Sequence, residues 1–154
     1  MSRKIDIFNR EIFHHYEILE KFEAGVELKG FEVQSLFLGR GSIKASYVSR
    51  VGDELYLVNF KIPASQPKNI AKDYDENRRR RLILHRREIN FLVDQLNNLG
   101  LTIVPIRVYN KKGLIKIEIA LVKGLKKYEK REKIKKRDFE RERERTLKSG
   151  KYKL

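Results

Sequence analysis

The sequence predicts a mainly β fold with helices: an OB-fold-like antiparallel β-barrel with two to three flanking helices and a basic C-terminal tail. Several short segments alternate apolar and polar residues between turn-forming residues, which is typical of strands. Only a few segments space their apolar residues as a helix does. The C-terminal end is rich in charge and has no apolar stripe. A closed barrel is favoured for many short antiparallel strands because closure removes exposed strand edges.

The first half of the chain predicts one strand, one helix and one hairpin. Tyr16–Gly25 alternates loosely and indicates a strand. Val26–Leu38 has apolar residues at helical spacing and is followed by glycines, which favours a short helix with a glycine stop. Ser46–Val51 and Glu54–Ile62 are separated by Gly52-Asp53, a turn sequence that predicts a β-hairpin.

The second half predicts a long loop, a helix and a second hairpin. Ala64–Arg81 has no apolar periodicity and is predicted to be a long loop. Leu82–Leu84 follows as a short buried segment. His85–Leu99 carries its apolar residues on one helical face and is followed by a glycine. Leu101–Tyr109 and Leu114–Val122 predict a hairpin joined by a four-residue turn, with one face of the second strand exposed to water.

The composition excludes several classes of protein. The chain has 154 residues and no cysteine, which excludes disulfide scaffolds, cysteine zinc sites, iron–sulfur clusters and thiol nucleophiles. No apolar run approaches the roughly 20 residues needed to span a bilayer, and the N-terminus does not resemble a signal peptide. We therefore expect a cytoplasmic protein without a membrane partner, a bound metal or a cofactor.

Positive charge is concentrated at the C-terminal end. Lys plus Arg number 36 and Asp plus Glu number 21, so the formal net charge is +15. Residues 123–154 contain 15 basic and 6 acidic residues, a net of +9. Such a block is typical of an arm that binds nucleic acid, although a solvated tail that aids solubility is the alternative. We therefore divide the chain into an OB-like RNA-binding barrel domain, 1–122, and a basic C-terminal tail, 123–154.

The tail can form a helix, but that helix would have no apolar face to bury against the barrel. Favourable i,i+4 pairs between Glu and Lys occur in it, and its few large apolar residues form no stripe. We expect it to be disordered in the free protein and helical on a partner. Tyr128 and Phe139 are candidates for stacking on bases, the alternative being that they pack against the edge of the barrel.

The run Arg78–Arg81 is a second candidate for RNA contact. Four adjacent guanidinium groups on a loop are not expected all to find partners within the protein, and each can bind phosphate bidentately. The alternative is a solvated basic loop. Catalysis has little support, because a His14–His15 pair on a strand would point in opposite directions. A ribonuclease that uses one of these histidines is the enzymatic alternative, and no catalytic residue is assigned.

Several segments, in order and spacing, resemble the SsrA-binding protein family, also called small protein B. The resemblance runs from about Asn9 to Leu147. The segments that carry it include Phe22-Glu23-Ala24-Gly25, Gly30-Phe31-Glu32-Val33-Gln34-Ser35-Leu36, Leu82-Ile83-Leu84-His85-Arg86-Arg87-Glu88-Ile89, Lys116-Ile117-Glu118-Ile119-Ala120-Leu121-Val122-Lys123-Gly124 and Tyr128-Glu129-Lys130-Arg131. The chain departs from the family pattern at Gln34, Phe37 and Ala45, where Lys, Arg and Asp are frequent.

The resemblance implies an OB-type barrel that binds the tRNA-like domain of transfer-messenger RNA. It also implies delivery of that RNA to the A site of a stalled 70S ribosome for trans-translation, which rescues the ribosome and tags the peptide. The tail would lie in the empty mRNA channel and decoding centre, against small-subunit rRNA. Elongation factor Tu would be an indirect partner on alanyl-transfer-messenger RNA, and the protein would act as a monomer without enzymatic activity.

Two sets of residues are candidates for these contacts. The candidate RNA-binding residues of the barrel are Asn9, Arg10, Tyr16, Glu23, Arg40, Arg78, Arg80, Arg81, Ile83 and Lys116. The candidate tail residues for the decoding centre and mRNA channel are Tyr128, Glu129, Lys130, Arg131, Ile134, Lys135, Arg137 and Phe139. By resemblance, Glu23, Ile83 and Lys116 match positions needed for binding transfer-messenger RNA. The alternatives are that Glu23 is merely solvated and that Ile83 belongs to the core, which its apolar neighbours favour.

Composition leaves one further function open. A ribosomal protein with a barrel body and an rRNA-threading tail would show the same charge distribution. Such a protein would remain on the ribosome in stoichiometric amounts at high salt, whereas a rescue factor would dissociate.

Overall fold

The computed structural model describes residues 4–66, 68, 73–125 and 135–143. The strands are β1 Asp6–Phe8, β2 Tyr16–Val26, β3 Tyr47–Val51, β4 Glu54–Val58, β5 Arg80–Ile83, β6 Leu101–Lys111 and β7 Leu114–Gly124. The helices are α1 Ile12–His15, α2 Gly30–Phe37, α3 Arg86–Leu96 and α4, residues 135–143. The last strand therefore includes Lys123 and Gly124, which the sequence assigned to the tail.

The strands form one seven-stranded sheet in the order β1-β6-β7-β2-β5-β4-β3. Every strand pair within the described residues is antiparallel. β3, at one end of this order, also packs against β6 near the other end. The sheet thus curls back on itself, and the predicted mainly β class with antiparallel strands and flanking helices is confirmed.

Two apolar clusters lie on opposite faces of β6 and β7. Side chains alternate along a strand, so Ile117 and Ile119 of β7 belong to the main core inside the curled sheet. Ala120 and Val122 belong instead to a small cluster on the outer face, which Ile12 of α1 covers. α1 therefore shields one end of the outer face of β7, and the other end of the strand is left for polar side chains.

Several boundaries differ from the predicted ones. The predicted helix over Val26–Leu38 begins only at Gly30, because the backbone N–H of Lys29 donates to Glu32 Oε1 (2.7 Å) at the start of α2. Helix α3 ends at Leu96, and Leu99, which was expected on its buried face, is fully exposed.

Short elements and turns account for the other differences. β1, α1 and β5 contain three or four residues each, too few to show a periodicity. His14 and His15 lie on α1, so the prediction that they alternate on a strand is wrong. The turn between β6 and β7 consists of Lys112 and Gly113 alone, with φ of 51° and 78°. Two consecutive positive φ values match the tight turn that connects twisted antiparallel strands.

A buried ion-pair cluster centred on Glu32 joins α2 to β5. The side chains of Glu32 and Arg80 have no exposed surface. Arg80 donates to Glu32 Oε2 from Nε (2.8 Å) and from Nη2 (2.5 Å). Arg78 donates to both carboxylate oxygens, and the hydroxyl of Tyr74 donates to Oε2 (2.9 Å). The carboxylate therefore receives hydrogen bonds from three side chains of the segment that leads into β5.

The remaining N–H groups of Arg80 bind backbone carbonyls. Nη1 donates to the carbonyl of Phe60, and Nη2 donates to the carbonyl of Glu76 (3.1 Å). The guanidinium also lies 5.5 Å from the centroid of the Phe60 ring. Because a buried charge is tolerated only when it is paired and hydrogen bonded, this geometry explains how an arginine occupies the core.

The structure corrects the prediction that Arg78–Arg81 is a loop of free cations. Arg80 and Arg81 are the first residues of β5. Arg81 forms ion pairs with Glu27 (2.7 Å) and Glu54 (3.5 Å), so three of the four guanidinium groups have internal partners. The prediction that Arg80 contacts RNA is wrong, because a side chain without exposed surface cannot reach a phosphate.

The charge state of the cluster is set by its hydrogen bonds. Burial raises the pKa of the Glu32 carboxyl, but the bonds from Arg78, the Lys29 backbone N–H and Arg80 outweigh it and lower that pKa to about 2. Burial and the neighbouring Glu32 carboxylate raise the pKa of Tyr74 to about 12. Glu32 is therefore ionised and Tyr74 protonated at neutral pH, the states that this pairing requires.

We expect Glu32→Gln to lower the free energy of unfolding by about 3–5 kcal/mol, because the buried Arg80 loses its countercharge. Denaturant unfolding at pH 7 measures the change. The matched control is Glu27→Gln, which breaks the solvent-exposed pair with Arg81 and should cost less than about 1 kcal/mol. Equal effects of the two substitutions would contradict a special role for the buried pair.

The same carboxylate predicts an acid transition. A pKa of about 2 in the folded state, against 4.5 for an ordinary glutamate, means that ionised Glu32 stabilises the fold above about pH 4.5. This stabilisation is lost as the pH falls from about 4.5 towards 2. Unfolding measured across that window should show a steeper loss for the wild-type chain than for Glu32→Gln. Parallel profiles would mean that the carboxyl titrates normally.

Candidate nucleic-acid interface

The strand register brings three candidate residues together around Gly25. This glycine of β2 lies opposite Ile83 of β5 on one side and opposite Lys116 of β7 on the other. Paired residues of neighbouring strands project to the same face, and Glu23 shares that face because it lies two residues before Gly25. Glu23, Ile83 and Lys116, distant in sequence, therefore form one patch on the outer face of the sheet.

The missing side chain of Gly25 shapes this patch. A Cβ at Gly25 would lie 3.3 Å from the Cβ of Ile83, closer than most side-chain contacts. A shallow groove runs beside the glycine, with Leu114 and Lys116 on its wall. Ile83 is 51% exposed and its neighbour Leu82 is fully buried, so the expectation that Ile83 belongs to the core is wrong. Alternation along β5 places the isoleucine on the outer face.

Glu23 is held by residues of β6. The hydroxyl of Tyr109 donates to Glu23 Oε2, and Nζ of Lys111 lies 3.7 Å from Oε1. The hydrogen bond from Tyr109 lowers the pKa of Glu23, and the charges of Lys111 and Lys116 lower it further although burial opposes them. Burial and the bond to Glu23 raise the pKa of Tyr109 to about 12. The patch thus presents an oriented carboxylate, which can accept hydrogen bonds from base amino groups.

The sequence did not point to Tyr109 and Lys111 as partners of Glu23. The turn sequence could have predicted the proximity. A two-residue turn at Lys112-Gly113 pairs Tyr109 with Lys116, which places Tyr109 on the same face as Glu23. The predicted four-residue turn shifts the register between the two strands and therefore does not give this pairing.

Two cations of this region have no ion-pair partner among the described residues. Lys116 is one, and it lies near enough to Glu23 to influence its pKa. Arg79 is the other, an exposed residue directly before β5. Arg78 and Arg81 keep partial exposure but are held by carboxylates. Within the arginine run, Arg79 is therefore the cation most available to a phosphate.

The N-terminal candidates lie at another corner of the sheet. Asn9 is buried, its amide donates to the Lys44 carbonyl (3.4 Å), and its Oδ1 accepts from the Glu11 backbone (3.2 Å). These bonds give Asn9 a structural role. Tyr16 is half-buried against the α1 cluster, whereas Arg10 is exposed beside the ring of Phe8.

Two departures from the family pattern, Gln34 and Phe37, lie on α2. Gln34 accepts a hydrogen bond from the Ser65 hydroxyl (3.0 Å), and Phe37 packs against the main core. Arg40 is exposed, with Nη1 3.5 Å from the Ser65 carbonyl. Positions 34 and 37 thus contribute packing and neutral hydrogen bonding here, and Arg40 supplies the positive charge at this end of the helix.

Three of the tail candidates lie on α4. Lys135 and Phe139 are exposed, and Nη2 of Arg137 lies 3.3 Å from Nδ1 of His14. The other tail candidates lie outside the described residues: Tyr128, Glu129, Lys130, Arg131 and Ile134.

Two further properties bear on the classes of function. Among the residues with described positions, no three His, Asp or Glu side chains are arranged to hold a metal ion. Within the same part of the chain, no helix is both long and apolar enough to cross a membrane.

The chain is similar to proteins of known family over most of its length. A model of the SmpB protein family matches residues 7–149. The chain is 48% identical to the SsrA-binding protein of Sulfurihydrogenibium sp. (strain YO3AOP1) and 44% identical to that of Persephonella marina, each match covering 100% of both chains. A solved structure described as "tmRNA-SmpB: a journey to the center of the bacterial ribosome" matches with a TM-score of 0.66 and 35% identity, covering 84% of this chain and 94% of that chain.

Lys116→Ala is expected to weaken binding to the tRNA-like domain of transfer-messenger RNA, the RNA implied by the sequence resemblance. It should also reduce the slope of log affinity against log salt by about one, because one phosphate contact is lost. Fluorescence anisotropy in a salt series measures both quantities. The control is Arg50→Ala, which removes an exposed cation that is hydrogen bonded to the Gly52 carbonyl (2.8 Å). An unchanged slope for Lys116→Ala would count against a phosphate contact.

Proposed function

The chain belongs to the SmpB family of SsrA-binding proteins, and we propose that its outer sheet face binds the tRNA-like domain of transfer-messenger RNA. SmpB is an RNA-binding family rather than an enzyme family, so the protein binds and positions RNA and does no covalent chemistry. The face consists of the patch around Gly25 together with nearby exposed cations.

The arrangement around Gly25 carries this proposal. It combines an ionised carboxylate, a cation without an ion-pair partner in the described chain and an exposed aliphatic side chain within three neighbouring strands. Lys116 is suited to a phosphate, Glu23 to the amino group of a base, and Ile83 to the apolar face of a sugar or base. A surface that attracted RNA by charge alone would need neither the oriented carboxylate nor the isoleucine.

The excess of positive charge supports a second RNA contact in the tail. The patch around Gly25 is nearly balanced in charge, because Glu23 and Lys111 are paired there. Residues 123–154 carry a net charge of +9 and contain no apolar stripe, and α4 meets the barrel through a polar contact, from Arg137 Nη2 to His14 Nδ1 (3.3 Å). A segment of this composition orders on a charged partner, and the ordering cost makes binding depend on that partner's surface.

The tail is therefore assigned to the ribosome. The protein delivers transfer-messenger RNA to the A site of a stalled 70S ribosome, with the tail helical in the empty mRNA channel and decoding centre. It acts in the cytoplasm as a monomer, and elongation factor Tu accompanies it indirectly on the alanylated RNA. Binding that requires a vacant channel would restrict action to ribosomes stalled on a broken mRNA, whose mRNA channel is empty.

Truncation after Leu125 should separate the two contacts. The cut leaves β7 complete, with the Leu125 N–H still bonded to the His15 carbonyl (3.0 Å). We expect the truncated protein to bind the tRNA-like domain within about threefold of the full chain and to lose peptide tagging in a reconstituted translation reaction. The measurements are anisotropy with ordinary tRNA as competitor, at several salt concentrations, and tagging on a stalled template.

The outcomes distinguish the proposal from its alternative. Binding that persists at physiological salt and resists tRNA competition supports recognition by the barrel. Loss of RNA binding on truncation would refute the assigned division between barrel and tail. Weak binding of the full chain that tRNA abolishes would mean that charge alone is responsible, and a structural role in the ribosome would then be the better explanation.

A further inference from the structure

We propose that Phe8 is a stacking platform for an unpaired nucleobase, at the β1 end of the interface. The inference rests on the proposed function and deepens it, because it extends the same RNA surface across two more strands. The platform consists of Phe8, Phe13 beside it and the cations Arg10 and Lys44.

The strand register places Phe8 on the same face as Glu23. Phe8 of β1 lies opposite Arg107 of β6, Arg107 opposite Glu118 of β7, and Glu118 opposite Glu23 of β2. Residues paired in this way project to one face, so the four side chains form a row across the outer sheet. With strands about 4.8 Å apart, Phe8 lies about 14 Å from Glu23, a distance of a few nucleotides.

Phe8 is an exposed aromatic residue that belongs to neither apolar cluster. Its side chain is 46% exposed on an edge strand of three residues. The ring of Phe13 stacks beside it, with centroids 6.0 Å apart and an interplanar angle of 22°. Phe13 is itself partly buried against the α1 cluster, which limits how the pair can move. A supported and exposed aromatic ring is the feature on which unpaired bases stack.

The charges around Phe8 favour a nucleotide over an apolar partner. The guanidinium of Arg10 lies 6.0 Å from the Phe8 ring centroid, at the outer limit of a cation–π contact. Phe8, Arg10 and Lys44 line one groove, and neither cation has a carboxylate partner within the described residues. Glu11 lines the groove as well, so its net charge is positive. If a base stacked on the ring, the backbone phosphates on either side of its nucleotide would lie within reach of both cations.

The charged row between Phe8 and Glu23 also favours a base over a protein side chain as the group that stacks on Phe8. The row that leads from Phe8 to Glu23 is charged, with Arg107 bonded to Asp6 (2.9 Å) and Glu118 near Lys21 (3.9 Å). A protein partner would have to desolvate these pairs, whereas an RNA strand can cross them with its solvated backbone.

Substitutions at Phe8 test the platform. Phe8→Ala and Phe8→Leu should weaken binding to the tRNA-like domain by about tenfold or more, since stacking on one base is lost. The salt slope should not change, because no counterion is released through an aromatic contact. Phe8→Tyr keeps the ring and should bind as the wild type does. Arg10→Ala should instead reduce the salt slope by about one.

The matched control is Phe91→Ala. Phe91 is 39% exposed on α3 and has an aromatic neighbour, Phe22, at 6.0 Å, but it lies outside the row. It should leave RNA affinity unchanged. Chemical footprinting should also show an unpaired base that the wild type and Phe8→Tyr protect and that Phe8→Ala and Phe8→Leu leave reactive. Thermal melting of each variant excludes loss of fold as the cause.

Each contrary result has a defined meaning. The stacking platform would be overturned if Phe8→Ala bound RNA with wild-type affinity, or if Phe8→Leu bound RNA as tightly as Phe8→Tyr. Either result would leave the proposed function in place. Unchanged RNA affinity with reduced ribosome association would assign Phe8 to a ribosomal contact and also overturn the inference. If the wild-type chain itself fails to bind the tRNA-like domain in preference to tRNA, the proposed function fails first.

Discussion

The buried pair of Glu32 and Arg80 fixes the relation between α2 and β5, and the interface depends on that relation. Arg80 is the first residue of β5, and Ile83 is the last. Locking Arg80 under α2 sets the position of this short strand, which has only two register pairs with β2. The same strand holds Ile83 beside Gly25. A charge in the core therefore positions an exposed residue of the proposed RNA surface that it does not touch.

The outer face of the sheet is divided between a packed end and the end that carries the proposed RNA surface. At one end, α1 covers apolar residues of β6 and β7. At the other end, the same alternation leaves Lys116 and Glu118 partly exposed on this face. Carboxylates on this face are held by hydroxyl, ammonium or guanidinium groups, as Tyr109 and Lys111 hold Glu23 and Arg107 holds Asp6. Such pairing keeps the net potential of the face modest and leaves most of the positive charge to the C-terminal tail.

Prediction from sequence succeeded where a pattern repeats. The strand Tyr16–Gly25, the hairpin of β6 and β7 and the helix starting near His85 were predicted from periodicity and agree with the structure to within a few residues. β1, α1 and β5 were not predicted, because three or four residues hold no period. The patch of Glu23, Ile83 and Lys116 was assigned by resemblance to a family. Nothing in its spacing along the chain indicated that the residues meet.

The sequence by itself determined the fold class, the concentration of positive charge in residues 123–154 and the family resemblance, because each is a property of composition or local order. Only the tertiary structure decided which cations are free. Arg78, Arg79, Arg80 and Arg81 look alike in sequence, yet Arg80 is buried on a carboxylate 48 residues away and Arg79 is exposed. Whether a side chain is buried or ion paired depends on residues from distant segments of the chain that lie beside it in the fold. The residues next to it in sequence do not identify those partners.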